Sequence, residues 1–162
     1  MARYNRWQNA ELLKSMESMT DADLRADRGA FFGSIFRTVN HLLWGDSLWI
    51  SRFDGGVGPA QMDLTKTDTT DTTQTLAEWS TERFRTDARF VAWAKSVTHL
   101  DLTGDLTWFS GSIQADISKP RAMCIVQMFN HQTHHRGQVH AMLGATDAPM
   151  YTTDIPFMPT SL

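Results

Sequence analysis

The chain has 162 residues, 41% of them apolar and 20% charged, which is enough for one domain with a sizeable core. Its formal charge of −3 excludes the basic surface that nucleic-acid binding requires, and no apolar run approaches the ~18 residues of a membrane helix. The single cysteine, Cys124, has no disulfide partner, and the N-terminal stretch has no apolar signal core. These features predict a cytoplasmic protein.

Two helices are predicted in the first third of the chain. The first spans about residues 3 to 18, and the second about residues 30 to 53, where apolar side chains recur at three- and four-residue steps. Between them, Thr20 is a predicted N-cap with Asp23 as a weak capping-box partner. The segment FDGGVGP, residues 53–59, ends the second helix because it combines three glycines with a proline.

A loop, a third helix and a hairpin are predicted next. The polar, Thr-rich segment 61–74 is predicted to be a crossover loop, and the third helix follows over about residues 74 to 97. Alternating apolar and polar residues in DLTGDLTWFSGSIQADIS then predict a short β-hairpin with Gly111 and Ser112 between its strands. Its apolar residues are Leu106, Trp108, Ile113, Ala115 and Ile117.

The last helix is predicted over about residues 119 to 143. Ser118 is its predicted cap, Pro120 is tolerated in its first turn, and Gly144 ends it. The proline-rich tail, about residues 145–162, is predicted to be irregular. Four long helices with a hairpin before the last one predict an all-α four-helix bundle, in a single domain that covers the whole chain.

Four of the six histidines lie in the last predicted helix, within FNHQTHHRGQVHAML. His131 and His135 are four residues apart, so they share a helix face with Cβ atoms roughly 5–6 Å apart and can bind one metal ion. His41 lies in the middle of the second predicted helix among apolar neighbours. If these two helices pack together, the three imidazoles can meet and leave one coordination position open for water or substrate.

Other interpretations of the same residues remain open. A histidine on an apolar face is more often a hydrogen-bonded core residue than a ligand, so the histidines could form a polar seam or a dimer contact without metal. A bound ion could also be structural and brace a non-catalytic, stress-response bundle. Cys124 is interpreted as a small buried residue rather than a nucleophile. For Trp44, Trp49 and Trp108, core packing is the default interpretation and a pocket wall is the alternative.

With these residues identified, the chain resembles the DinB-like family, which is related to bacillithiol S-transferases and mycothiol-dependent maleylpyruvate isomerase. RYNRWQNAELL resembles the family's opening helix, DRGAFFGSIFRTVNHLLWGDSLWISRF its second helix, and FNHQTHHRGQVHAML its signature. The resemblance covers nearly the whole chain. It implies a four-helix bundle, commonly a homodimer, that binds a divalent ion such as zinc or nickel through His41, His131 and His135.

The resemblance also implies a metal-dependent thiol S-transferase or hydrolase, with a low-molecular-weight thiol as co-substrate in some relatives. The polar candidates for this chemistry are Asp46, Asp87, Arg136 and Gln138. Asp46 or Asp87 could accept the free ring N–H of a ligand and fix its tautomer, or could be solvated or salt-bridged. Arg136 could bind an anionic substrate or pair within the bundle. The predicted partners are a small-molecule substrate and a second copy of the chain, with no nucleic acid and no membrane.

Overall fold

The computed structural model describes residues 1–59 and 68–160, which form five α-helices and one two-stranded antiparallel sheet. The elements are α1 (Ala2–Glu17), α2 (Asp21–Arg25), α3 (Ile35–Asp54), α4 (Leu76–Ser96), β1 (Asp105–Ser110), β2 (Ala115–Pro120) and α5 (Arg121–Leu143). The prediction of a mostly helical chain with a hairpin before the last helix is confirmed. The predicted count of four helices omitted α2, a single short helix that Thr20 caps by accepting a hydrogen bond from the amide of Asp23. Residues 61–67 of the predicted crossover loop lie outside the described residues.

Helix α3 begins at Ile35 rather than near residue 30, because the chain turns immediately before it. Gly33 adopts a left-handed φ of 79°, which glycine tolerates without strain and which interrupts helical geometry. Ser34 then caps α3, and its side-chain oxygen accepts a hydrogen bond from the backbone N–H of Arg37. Phe32, which was predicted to lie on the helix, therefore lies in the turn that precedes it.

The boundary between the hairpin and α5 also differs from the prediction. Ser118 does not cap α5 but lies within β2, where its hydroxyl accepts a hydrogen bond from Thr107 on β1 at 3.0 Å. Helix α5 begins after Pro120, at Arg121, with no side-chain cap. Ile113, predicted on the second strand, lies in the turn between the strands.

Two apolar clusters hold the helices together. The first includes Leu12, Val39, Leu43, Trp79, Val139 and Leu143, and the second includes Ile50, Phe53, Phe90, Leu106, Cys124 and Met128. Burial of each large side chain stabilises the fold by about 1.5–3 kcal/mol before entropy is counted. Helix α1 packs on α4, and α3 packs on both α4 and α5. The pairing of α3 with α5 is the contact that positions the site described below.

The cysteine and the tryptophans occupy packed positions. Cys124 is only 3% exposed, as predicted, and burial raises the pKa of its thiol. Trp44 is buried, while Trp49 packs edge-on against Trp108 at 5.8 Å between ring centroids. These side chains therefore belong to the core and its margin.

Between α5 and residue 160, the chain has no helix or strand apart from one 3-10 turn at Ile155–Phe157. This segment is nevertheless attached to α1 by side-chain hydrogen bonds. The hydroxyl of Tyr4 donates to the carbonyl of Thr153 at 2.6 Å, and the amide of Gln8 donates to that of Thr152 at 3.0 Å. In the described residues, no helix is both long enough and apolar enough to span a bilayer.

Candidate metal centre

Three histidines meet where α3 packs on α5, and we call His41, His131 and His135 the histidine cluster. Nε2 of His41 lies 3.1 Å from Nε2 of His131, and one nitrogen from each of the three rings lies within 4.8 Å of the others. Ligand nitrogens at ~2.0–2.1 Å from a tetrahedral ion are about 3.3 Å apart. The first pair therefore already has ligand spacing, and the three rings could hold one metal ion.

The rings of the histidine cluster are neutral at physiological pH. Burial lowers the pKa of His41 to about 3, and repulsion from His131 and His135 in their protonated forms adds to this shift. Burial, and then His135 and His134, lower the pKa of His131 to about 4. Burial also lowers the pKa of His135, although a hydrogen bond with Gln138 acts in the opposite direction. A metal ion requires the lone pair of a neutral imidazole, so the rings are in the form that binds metal.

Hydrogen bonds orient two of the three rings through Nδ1. Nδ1 of His41 lies 2.9 Å from the hydroxyl of Thr69, and Nδ1 of His135 lies 2.7 Å from the amide oxygen of Gln138. When Nδ1 carries the proton and donates it, Nε2 keeps its lone pair for a metal. Nδ1 of His131 is buried and has no hydrogen-bond partner among the described residues.

The loop that carries Thr69 is held against α3 by hydrogen bonds with Asn40, and this places Thr69 beside His41. The side-chain oxygen of Asn40 accepts hydrogen bonds from the backbone N–H and the hydroxyl of Thr73 at 2.9 and 2.8 Å. The side-chain amide of Asn40 donates in return to the carbonyl of Thr73 at 3.3 Å. The sequence analysis did not find Thr69, since a contact across 28 residues leaves no periodic signal. The only sequence cue was a Thr-rich loop.

Phe32 covers one side of the histidine cluster. Its ring centroid lies 4.3 Å from that of His41 and 5.3 Å from that of His135. An apolar ring at this distance excludes water and contributes to the burial that disfavours the charged imidazolium. Phe32 lies within the range predicted for the second helix, residues 30 to 53, and fits its apolar spacing, so nothing in the sequence indicated its contact with the histidines.

The two candidate carboxylates lie in a different buried group, which we call the ion cluster and which consists of Asp46, Arg83 and Asp87. Arg83 donates to Asp46 at 2.7 Å and forms an ion pair with Asp87 at 2.9 Å. Burial raises the pKa of both carboxyl groups, while Arg83 acts against that shift. Across the described ranges, neither carboxylate hydrogen-bonds to a ring of the histidine cluster. They are salt-bridged, and the rings that have Nδ1 partners use Thr69 and Gln138 instead.

Arg136 and Gln138 have different positions although they are close in sequence. Arg136 is buried and donates to the side-chain oxygens of Asn5 and Gln132, the latter at 3.1 Å. Its guanidinium carbon lies 5.4 Å from the ring centroid of Tyr4, so this cation is bound within the core. Gln138 contacts the histidine cluster directly, through its hydrogen bond with His135.

Comparison with known proteins agrees with this geometry. The chain matches the model of the DinB family over residues 1–160, a range that includes every element and all three histidines of the cluster. No curated protein matches the chain significantly. Because the family match extends over nearly all of the sequence, the protein belongs to the DinB family.

Proposed function

We propose that this protein binds one divalent metal ion through His41, His131 and His135 and uses it in thiol transfer or hydrolysis of a small-molecule substrate. The observation that carries the proposal is the convergence of three neutral imidazoles, with one nitrogen of each within 4.8 Å of the others. An all-imidazole donor set suits zinc and nickel among the common divalent ions. The co-substrate we propose for the transfer reaction is a low-molecular-weight thiol.

The donor set favours a reactive ion over a structural one. Structural zinc sites are closed by four protein ligands, whereas catalytic sites have three and keep one position open. Within the described residues, the metal-ligating group has three members, all of them histidines. When bound, the ion supplies a Lewis acid that favours the deprotonated form of a water or a thiol at neutral pH.

The remaining groups of the site orient the ligands and control water. Thr69 and Gln138 hold the rings of His41 and His135 through Nδ1, which leaves Nε2 as the ligand atom, and Phe32 shields one side of the cluster. The ion cluster and Arg136 have no part in the proposed reaction, because their charges are already paired or hydrogen-bonded in the core.

Cobalt(II) tests the proposal without knowledge of the substrate. Protein loaded with one equivalent of Co²⁺ should show the visible absorption of a four- or five-coordinate ion, and 2-mercaptoethanol should add a sulfur-to-cobalt charge-transfer band. His131→Ala should lose both signals, whereas His99→Ala, at an exposed position, should keep them. A cobalt spectrum that thiols leave unchanged, with a melting temperature that collapses on chelation, would instead support a structural ion.

Activity assays then separate the two reactions. Metal-loaded protein should transfer a thiol to an electrophile such as a haloarene, or hydrolyse simple esters or amides, and His41→Ala should not. If the fully metal-loaded protein showed no activity in either assay, this result would count against catalysis.

We also propose a homodimer that forms through the exposed side of α5. Met123 and Val126 are 61% and 67% exposed there, and Thr133 continues the same uncharged surface. A second copy can pack against this surface without bringing like charges together. Sedimentation should give a dimer for the wild type and a monomer for Val126→Glu, with Val57→Glu, at an exposed position before α4, as the control. A monomeric wild type would refute the dimer without affecting the metal site.

A further inference from the structure

The backbone of α3 contacts the ring of His131 at Gly45. A Cβ atom added to Gly45 would lie 3.0 Å from Cε1 and 3.5 Å from Nδ1 of that ring. Carbon atoms pack best at about 3.5–4.0 Å, so any side chain at this position would push the ring away by a few tenths of an ångström. Glycine in a helix interior costs about 1 kcal/mol relative to alanine, and this contact explains why it is tolerated here.

Contact with Gly45 is important because, in the described residues, no hydrogen bond at Nδ1 orients the ring of His131. The rings of His41 and His135 each have an Nδ1 partner, but Nδ1 of His131 has none in the described part of the chain. The edge of the His131 ring that carries Cε1 and Nδ1 lies against Gly45. Its Nε2 faces Nε2 of His41 at 3.1 Å. Contact with Gly45 on one edge and with His41 at Nε2 thus sets the direction of this nitrogen.

We propose that Gly45 is a positioning residue for the metal site, because the absence of its side chain lets His131 lie against α3 with Nε2 directed at His41. The inference rests on the proposed metal binding and deepens it. Gly45 lies one helical turn after His41, and His135 one turn after His131, so the site consists of two residues from each helix. Three of these supply imidazoles, and the fourth supplies the space that one imidazole needs.

Gly45→Ala tests this role, and Gly137→Ala is its matched control. Both glycines lie inside long helices, but a Cβ at Gly137 meets no atom within 4 Å. Both changes favour helix formation equally. The Kd of full-length protein for Zn²⁺, measured by competition with a chromophoric chelator, should rise about tenfold in Gly45→Ala, the lower end of the effect of changing groups that orient ligands. It should stay at the wild-type value in Gly137→Ala. The Co²⁺ spectrum should shift only in Gly45→Ala.

A second measurement does not require metal. In long-range ¹⁵N–¹H spectra of the metal-free protein, the ring signals of His131 should change in Gly45→Ala, and those of His135 should change less. A wild-type Kd with an unshifted cobalt spectrum in Gly45→Ala would overturn the role of Gly45, even if the variant were less stable. Failure of the wild type to bind Zn²⁺ would instead remove the proposed function itself.

Discussion

Two polar clusters lie on opposite contacts of α3, the ion cluster against α4 and the histidine cluster against α5, and they are organised in opposite ways. In the ion cluster, each carboxylate is within 2.9 Å of a guanidinium nitrogen, so every charge has a partner. In the histidine cluster, no charge is present, and two Nε2 atoms face each other at 3.1 Å. The first cluster compensates its charges within itself, whereas the second brings one nitrogen from each of three rings to a common space.

This contrast shows which buried polar groups are available for function. A charge in the core is tolerated only when a partner compensates its desolvation, and such a group cannot also serve a substrate at no cost. Burying a neutral imidazole costs less free energy than burying a charged group, and the neutral ring keeps a lone pair that can bind a cation. The candidates that the sequence suggested, Asp46, Asp87 and Arg136, are paired or hydrogen-bonded in the core, whereas the residues that contact the histidine rings include Thr69, Gln138 and Gly45.

The largest expected effect comes from breaking the ion cluster. Arg83→Ala leaves two buried carboxylates without their cation, and we expect a loss of about 3–5 kcal/mol in the free energy of unfolding. Urea denaturation of the metal-free protein measures this loss of stability. Arg85→Ala, two residues away on the exposed side of α4, should cost less than about 1 kcal/mol, because its pair with Glu82 is solvent-exposed. Equal losses in the two variants would contradict the contrast between the clusters.

Metal binding should stabilise the protein only through the histidine cluster. Zn²⁺ at 100 times its Kd should add about 2.7 kcal/mol to the stability of the wild type and nothing to that of His41→Ala. Without metal, His41→Ala should remain folded, since it removes a neutral ring rather than one member of a charged pair. Thermal denaturation with and without chelator provides the measurement, and His99→Ala should behave like the wild type. Unfolding of metal-free His41→Ala would show that the ring is structural.

The groups that orient the rings should have smaller effects. Thr69→Val and Gln138→Leu each remove one Nδ1 hydrogen bond and should weaken Zn²⁺ binding about tenfold. Because Thr69 and Gln138 contact different rings, the double variant should bind Zn²⁺ about a hundredfold more weakly than the wild type. Thr81→Val is a suitable control, since the exposed hydroxyl of Thr81 donates to the carbonyl of Ala77 in its own helix. Unchanged affinity in both single variants would mean that packing alone orients these rings.

The smallest effect concerns a partly exposed ion pair. Arg89 holds Asp54 at 2.6 Å, and this hydrogen bond lowers the pKa of Asp54. A carboxyl group whose pKa is lowered in the folded state stabilises the protein fully when the pH is above its unfolded-state pKa, near 4. This contribution is lost as the pH falls through the lowered, folded-state pKa. Asp54→Asn should therefore cost about 0.5–1 kcal/mol at pH 7 and close to nothing at pH 2. A loss that persists at low pH would assign the effect to packing rather than charge.

Features that depend on short-range spacing could be predicted from the sequence. The three- and four-residue apolar period located α3, Pro120 and Gly144 marked the ends of α5, and the four-residue spacing of His131 and His135 predicted that they share a face. Phe32 shows the limit of this approach, since it fits the apolar period of α3 yet lies before its cap. The left-handed conformation of Gly33 and the hydrogen bond at Ser34 place the start of the helix after Phe32.

Features that depend on packing could not be predicted. Gly45 and Gly137 are equally unusual glycines in helices, and only the approach of His131 distinguishes them. Asp46 lies close to His41 in sequence, but nothing in its spacing shows that Arg83 will reach it across 37 residues. Such contacts become visible only when the helices are placed side by side.

The metal content of the purified protein tests the central claim most directly. Full-length wild type and the variants His41→Ala, His131→Ala and His135→Ala would be loaded with Zn²⁺, desalted and assayed by elemental analysis. We predict one ion per chain in the wild type and a loss of stoichiometric zinc in each variant. A wild type without bound metal, or full occupancy in any of the three variants, would contradict the claim that these histidines bind one ion together.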